Sequence, residues 1–252
     1  MKARLLTALL APAILLCFAG SAHAWLLDLP QFEPAPLTAE SEATPTSAAA
    51  AGQGGGHKVG KPKISFDPIS YSKARKRQMA NYSKRHYGRR EWKLEQVKAI
   101  VLHYTAGSSY ASAWSLFDAN TPNLGEKPGT CAQFIVDQDG TIYQLTRLSV
   151  RCRHTIGLNH LSIGIEMVQP DLGDPNATAK AILARKKQSN AAVRLAAWLT
   201  DRYGVKLDNV IGHGMANDSP LFLDKEGWVN DHVDWLKPQV KDFRKRMKQL
   251  LR

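Results

Sequence analysis

Apolar residues in this chain are grouped in short runs, and one of these runs, residues 99–102, lies within the stretch KAIVLHYTAG. An uninterrupted apolar run that ends at turn-forming residues is typical of a central strand covered on both faces. His103 directly follows the run, at the carboxyl end of the predicted strand, which is the edge where α/β proteins build their sites. His103 is therefore a candidate functional residue. The alternative is a core histidine that bonds a backbone carbonyl.

The remaining apolar pattern predicts strands that alternate with helices. Two runs separated by Gln138-Asp139-Gly140 indicate a hairpin with a tight turn. The predicted strands are 99–102, 131–137, 141–145, 162–168 and 208–212, and the predicted helices are 109–120, 178–203 and 238–251. Such alternation is typical of an α/β domain. We therefore expect a single domain over residues 93–252, with a central mixed β-sheet flanked by helices.

The first 60 residues differ from this pattern. Residues 1–24 combine a short basic start, an apolar stretch and the small-residue ending Ser21-Ala22-His23-Ala24, which is typical of a secretory signal peptide. Residues 25–60 are rich in Ala, Pro, Ser, Thr and Gly, and this composition predicts a flexible linker because it buries little apolar area. We therefore expect a soluble exported protein, in the periplasm or outside the cell.

Residues 61–92 carry many lysines and arginines with aromatic residues between them, in a chain of formal net charge +12. Such interleaving suggests nucleic-acid binding, but export argues against that partner. The polyanions outside the cytoplasm are anionic envelope glycans and lipid head groups. We expect no nucleic-acid partner and a contact between this basic aromatic arm and an envelope polyanion. A solvated arm that packs its aromatics on the domain edge is a compatible alternative.

Cys131 and Cys152 are the two cysteines that follow the predicted signal peptide. An isolated pair in an oxidising compartment predicts a disulfide. The alternative is two buried free thiols.

The candidate chemistry comes from residues at the ends of the predicted strands. His103 and His213 each follow an apolar strand, and Asp234 lies further along in HVDW. Two imidazoles and a carboxylate suit a catalytic zinc site, in which the fourth position is left to water. Glu166 lies in the middle of an apolar strand, where a carboxylate beside a metal would serve as general base. His232 is placed to donate a hydrogen bond to the oxyanion of a tetrahedral intermediate.

The order of these short motifs resembles the zinc-dependent N-acetylmuramoyl-L-alanine amidases of the type 2 family. This family includes phage lysozyme-type amidases and is related to the peptidoglycan recognition proteins. KAIVLHYTAG resembles the family's first-ligand strand, FIVDQDGTIYQL its hairpin, SIGIEMV the strand with its catalytic glutamate, and VIGHG its second-ligand strand. The resemblance covers about residues 97–252. It implies zinc at His103, His213 and Asp234, with Glu166 and His232 as catalytic residues; Asp224 and Asp231 are alternative third ligands.

Two further residues are candidate substrate contacts. His154 and Asn159 match the segment that precedes SIGIE in the family; alternatively, His154 bonds within its loop and Asn159 orders a turn. The resemblance implies an amidase that cleaves between the lactyl group of N-acetylmuramic acid and L-alanine, in peptidoglycan or muropeptides. We expect the protein to be a monomer. The alternatives are a non-catalytic peptidoglycan-binding module of the same fold, an envelope polyanion-binding protein, and a different metallohydrolase such as a peptidase.

Overall fold

The computed structural model describes residues 59–252, which lie in one compact unit. The signal peptide expected at 1–24 and all but the last two residues of the expected linker lie outside the described residues. Along the chain the strands are β1 (Ser65–Phe66), β2 (Ala99–Ala106), β3 (Phe134–Val136), β4 (Ile142–Gln144), β5 (Ser162–Pro170) and β6 (Val210–Gly212). The helices are α1 (Lys73–Tyr87), α2 (Tyr110–Asp118), α3 (Pro175–Ala184), α4 (Lys186–Tyr203) and α5 (Lys237–Leu250).

The strands form one mixed sheet in the order β1-β4-β3-β5-β2-β6. The β3–β4 pair is antiparallel and forms the predicted hairpin, whereas the other pairs are parallel. The prediction of one α/β domain with a central mixed sheet flanked by helices is therefore confirmed.

The two faces of the sheet have different coverings, because side chains alternate between the faces along each strand. Ile100, Leu102 and Ile165 lie on the face that packs with apolar residues of α3, α4 and α5. His103 and Glu166 are Cα partners in the β2–β5 register and project to the opposite face. The core on the helical face thus supports the strands that carry the candidate site.

The long helix predicted at 178–203 is two helices, with Arg185 between them in a non-helical conformation (φ −78°, ψ 88°). The break places Gln188 so that its amide donates to the carbonyls of Val136 and Val168, at the ends of β3 and β5. Arg185 in turn donates to Gln169. The two Gln188 bonds satisfy buried backbone carbonyls. The apolar pattern of the sequence gives no sign of these contacts.

The segment predicted as a basic aromatic arm carries β1 and α1. Ser72 caps the start of α1 through its side chain, and Gly88 ends the helix with a φ of 79°. Met79 and Tyr82 of this helix are fully buried. Contact between this segment and a polyanion stays a prediction. None of the helices in residues 59–252 combines the length and the apolar character that crossing a membrane requires.

Cys131 and Cys152 are joined by a disulfide, with their Cα atoms 5.1 Å apart. The bond connects the segment before β3 to the segment that leads to His154. Both cysteines are fully buried.

Candidate active site

Three side chains meet beside the C-terminal half of β2: His103, His213 and Asp234. The Nδ1 atoms of the two histidines are 3.0 Å apart, and the Asp234 carboxylate lies 3.0 Å from His213 Nδ1 and 3.3 Å from His103 Nδ1. One donor atom from each residue lies within 4.8 Å of the others, as in a site that could hold a metal ion. All three residues are buried.

Parallel pairing of β2 with β6 brings the two histidines together, and a close backbone approach adds the carboxylate. Leu102 is the register partner of Gly212, so the residues that follow them lie side by side: His103 within β2, and His213 directly after the end of β6. A Cβ at position 212 would overlap the Trp235 carbonyl oxygen, so glycine is needed there for the loop of Asp234 to approach. The Gly214 amide then donates to the Asp234 carbonyl at 2.8 Å.

The loop that carries Asp234 is held by its neighbour, Trp235. This residue adopts a positive φ of 57°, which is uncommon for a bulky side chain. Its indole is fully buried and donates to the His103 carbonyl at 3.2 Å. The hydrogen bond to His103 thus holds Trp235 against β2.

The protonation states favoured here suit a metal site. Burial, and secondly His213, lower the pKa of His103 to about 4, so its imidazole is neutral at pH 7. Burial alone would raise the pKa of Asp234, but His213 and His103 hold this pKa well below its usual range. Neutral imidazole and ionised carboxylate are the forms that bind metals. Two imidazole nitrogens and one carboxylate oxygen fit Zn²⁺ and leave a position for water.

Glu166 is the carboxylate nearest to this cluster in the sheet. It is buried, and its Oε2 atom has no hydrogen-bond partner among the described residues. Burial, with a smaller contribution from Asp234, raises the pKa of Glu166 to about 8. A buried carboxylate without a partner is costly, and such perturbed groups concentrate at functional sites.

A family model described as N-acetylmuramoyl-L-alanine amidase (Amidase_2) matches residues 93–228, more than half of the chain. The chain belongs to this family. The match includes His103, Glu166 and His213, whereas Asp234 lies beyond its end.

Solved structures similar to this amidase include proteins from Staphylococcus aureus, Bacillus subtilis and E. coli. Hydrolase AmiA of Staphylococcus aureus is 19% identical, with a TM-score of 0.49 and coverage of 75% of this chain and 84% of that chain. A mutant endolysin from Bacillus subtilis is 23% identical, with a TM-score of 0.40 and coverage of 60% and 83%. AmiD from E. coli, in complex with its anhydro-N-acetylmuramic acid peptide substrate, is 24% identical, with a TM-score of 0.37 and coverage of 49% and 52%. Comparison with curated proteins gave no match.

His232 lies at the open side of the amidase site. Its side chain is 63% exposed, and its ring stacks on that of His213 with centroids 4.5 Å apart. Burial of part of the ring, and secondly His213, lower the pKa of His232, which leaves one N–H group on the neutral imidazole.

His154, predicted to contact substrate, lies in the interior. Its Nδ1 is 3.1 Å from His103 Nε2, on the far side of that ring from the donor atoms, and Ser162 Oγ lies 3.3 Å from its Nε2. The ring packs over Gly164, where a Cβ would collide with it. His154 therefore orients His103 from behind, as residues behind a metal ligand commonly do.

Asn159, also predicted to contact substrate, is fully buried. Its carbonyl oxygen accepts from the amides of His154 and Thr155, and its amide group donates to Tyr87. The side chain is thereby occupied in the interior, and it orders the turn that carries His154.

Asp224 and Asp231, the alternative third ligands, lie beside residues other than His103 and His213. Asp224 bonds His86 at 2.7 Å, and Asp231 is exposed beside His232, 3.9 Å from its Nε2. Asp234 is thus the carboxylate that contacts both His103 and His213.

One group of residues near the site has no counterpart in the sequence predictions. His86, on α1, is fully buried between two carboxylates: its Nδ1 lies 2.7 Å from Asp224 and its Nε2 lies 3.1 Å from Glu126. We call these three residues the His86 clamp. It joins α1 to two loops beside the site. Ser72 and Gly88 are capping signals from which helix α1 could have been predicted.

Proposed function

We propose that this protein is an exported, zinc-dependent amidase that cleaves peptidoglycan between the lactyl group of N-acetylmuramic acid and L-alanine, in remodelling or turnover of the cell wall. Membership of the amidase family supplies the reaction. The observation that carries the proposal is the pairing of a three-donor cluster with Glu166, a buried carboxylate whose pKa is raised to about 8.

His103, His213 and Asp234 would hold the zinc ion. When bound there, Zn²⁺ supplies a Lewis acid that polarises the lactyl carbonyl and makes water more acidic. His154 fixes the ring orientation of His103, and the Trp235 indole fixes the backbone of the same residue. The donor atoms are thus held in place before any substrate arrives, which limits reorganisation during the reaction.

Glu166 moves the proton. Its carboxylate accepts a proton from water as the water oxygen forms a bond to the lactyl carbonyl carbon. The same carboxyl group then gives that proton to the amide nitrogen as the C–N bond breaks. The products are the lactyl carboxylate and a stem peptide with a free amino group on L-alanine. A raised pKa suits both halves of this transfer.

His232 stabilises the oxygen on which negative charge develops. Its neutral ring keeps one N–H group, and its position on the exposed side of His213 leaves that group free to face a substrate. A donor aimed at the developing charge lowers the barrier.

Export is part of the proposal and rests on the pattern of residues 1–24. The disulfide between Cys131 and Cys152 is compatible with an oxidising compartment. N-terminal sequencing of the protein recovered from outside the cytoplasm tests this step, and the expected first residue is Trp25.

The test of the reaction compares wild type with Glu166→Gln on purified peptidoglycan and on soluble muropeptides. We expect wild type to bind zinc and to release peptides that begin at L-alanine, measured by mass spectrometry. Glu166→Gln should keep zinc and lose about 10²- to 10⁴-fold in rate, because it removes the proton acceptor. Glu95→Gln is the control, since that glutamate is exposed in an ion pair with Arg89.

Two results would contradict the proposal. Release of peptides at an unchanged rate by Glu166→Gln would remove this residue from the mechanism. A wild type that binds zinc and peptidoglycan but releases nothing would be a binding module.

A further inference from the structure

Helix α5 carries six cations and one carboxylate within Lys237–Leu250. One side of the helix packs into the core through Val240, Phe243 and Met247. The helical repeat places four lysines together on another side, and all four are exposed: Lys237, Lys241, Lys245 and Lys248. We call these four residues the lysine stripe. It extends about 16 Å along the helix axis.

The charges of the lysine stripe are not neutralised within the fold. The ion pairs that α5 makes within residues 59–252 are those of Arg244 with Asp208 and of Arg246 with Asp242. Like charges four residues apart repel each other along a helix. A cation in the first turn is also unfavourable, because the helix dipole is positive there, and α5 has Lys237 and no acidic residue in that turn. The stripe therefore destabilises the helix, which points to a function outside the fold.

Helix α1 also contains six lysines and arginines, but it uses several of them in contacts within the protein. Arg75 is buried and donates to three backbone carbonyls. Arg85 forms an ion pair with Glu126 at 2.6 Å. Lys76 lies over the ring of Trp92, 4.5 Å from its centroid. Composition does not distinguish the two helices as anion-binding surfaces, whereas their contacts favour α5.

The chemistry of the lysine stripe suits a flexible chain of repeated negative charges. Lysine attracts a phosphate as a point charge on a flexible stem, without the fixed geometry that arginine imposes. A bilayer surface fits less well, because helices that lie on membranes insert apolar side chains there. The large apolar side chains of α5 face the core, and the exposed Leu250 lies roughly opposite the stripe by the helical repeat.

The lysine stripe is firmly connected to the candidate metal site. Lys237 follows Asp234 by three residues. Arg244 donates to the carbonyl of Val210 at 2.7 Å, in the strand that precedes His213. An anionic polymer bound along α5 therefore holds the catalytic residues close to the material that carries the polymer.

We propose that the lysine stripe binds a phosphate-bearing anionic polymer of the cell wall and thereby retains the enzyme at its substrate. The binding itself does not require the reaction proposed above, whereas its effect on wall hydrolysis rests on that reaction. The attraction is between ammonium groups and phosphates, so it weakens as the salt concentration rises.

The binding test titrates the protein with poly(glycerol phosphate) between about 50 and 200 mM salt. The α5 variant is Lys241→Gln/Lys245→Gln/Lys248→Gln, in which glutamine keeps a good helix propensity. Lys237 is left unchanged because it is close to Asp234. At the lower salt concentration this variant should bind about tenfold more weakly than wild type. The slope of log affinity against log salt should also become shallower by about 2, because three charges are lost.

The matched control removes three exposed charges from α1: Lys73→Gln/Arg77→Gln/Lys84→Gln. We expect it to change the affinity and the slope much less than the α5 variant does. Equal weakening by the two variants would overturn the assignment to α5. Equal affinity of wild type for vesicles of phosphatidylglycerol and phosphatidylcholine in equal parts would overturn the choice of a polymer.

Hydrolysis measurements connect the binding to the reaction. On a soluble muropeptide, wild type and the α5 variant should have the same kcat/KM. On cell walls that keep their phosphate polymers, the variant should release peptides about tenfold more slowly, as its weaker binding predicts. On walls from which hydrofluoric acid has removed those polymers, the two proteins should release peptides at equal rates.

A loss of kcat/KM on the muropeptide, or equal rates on the untreated walls, would overturn retention by the stripe. The titration distinguishes this result from failure of the amidase proposal. If wild type cleaves no substrate, the proposed reaction is wrong, and the titration alone decides the lysine stripe: an unchanged affinity in the α5 variant refutes it.

Discussion

At the scale of single residues, Glu166 is the group whose placement most directly suggests chemistry. It lies in the middle of β5 beside His103 of β2, with its carboxyl group buried and one oxygen without a hydrogen-bond partner in residues 59–252. A carboxylate in such surroundings reduces stability unless it is protonated or pairs with a cation. Catalysis is a reason for a sequence to keep it.

This placement predicts how the stability of the metal-free protein depends on pH. The pKa of Glu166 rises from 4.5 to about 8 on folding, so the folded state holds this proton more tightly. Stability from this group is therefore complete below pH 4.5 and is lost as the pH rises to 8. Between pH 6.5 and 8 the wild type should lose about 1.5 kcal/mol relative to Glu166→Gln.

Urea unfolding of both proteins after metal removal, at pH 6.5 and pH 8, measures this difference. His103, whose pKa is lowered to about 4, also makes stability fall as the pH drops through 6.5, but both proteins contain it, so its contribution cancels in the comparison. If the free energy of unfolding changes equally with pH in the two proteins, the pKa of Glu166 is not raised by folding.

At the scale of secondary-structure elements, α1 supports the site from outside the region that the family model matches. Its last turn carries His86, which contacts Asp224 and Glu126 in two loops that are distant along the chain. Tyr82 of the same helix stacks on the His86 ring, with centroids 4.1 Å apart. The helix therefore fixes the two loops that carry Asp224 and Glu126.

We expect His86→Ala to lower the free energy of unfolding by about 3 kcal/mol, because it removes the contact of His86 with Oδ2 of the buried Asp224 carboxylate. Lys84→Ala is the matched control in the same turn of α1, and its exposed side chain predicts a change within about 0.5 kcal/mol. Thermal and urea unfolding measure both values. Equal effects of the two substitutions would mean that the clamp does not hold the loops.

At the scale of the whole molecule, the proposed metal joins parts of the chain that are far apart in sequence. His103 lies in β2, His213 follows β6, and Asp234 precedes α5. A ligand that binds only the folded state stabilises it in proportion to its affinity and concentration. Removal of zinc is therefore expected to affect the entire fold.

Zinc at about 100 times its dissociation constant should stabilise the protein by about 2.7 kcal/mol. Melting temperatures measured with zinc and with a chelator should differ in wild type. In His213→Ala, which lacks one of the three donors, the difference should be much smaller. The same difference in both proteins would show that zinc binds elsewhere.

Much of the fold was predictable from local patterns. The apolar run before His103, the hairpin around Gln138-Asp139-Gly140 and the alternation of strands with helices each depend on residues close together in sequence. The three donors were also predictable as a set, because strand ends and short motifs identify them. The family resemblance already favoured Asp234 over Asp224 and Asp231, and the structure shows that Asp234 is the carboxylate that contacts both histidines.

The positions that required the tertiary structure are those determined by long-range contacts. Asn159 is buried because it bonds Tyr87, 72 residues earlier, and the helix breaks at Arg185 where Gln188 meets two strand ends. Segment 61–92 contributes β1 and α1 because distant loops and β4 provide their partners. The order of neighbouring residues determines which chemical groups a segment has and whether its apolar positions repeat as in a helix or a strand. Burial depends instead on contacts between segments that only the folded chain brings together.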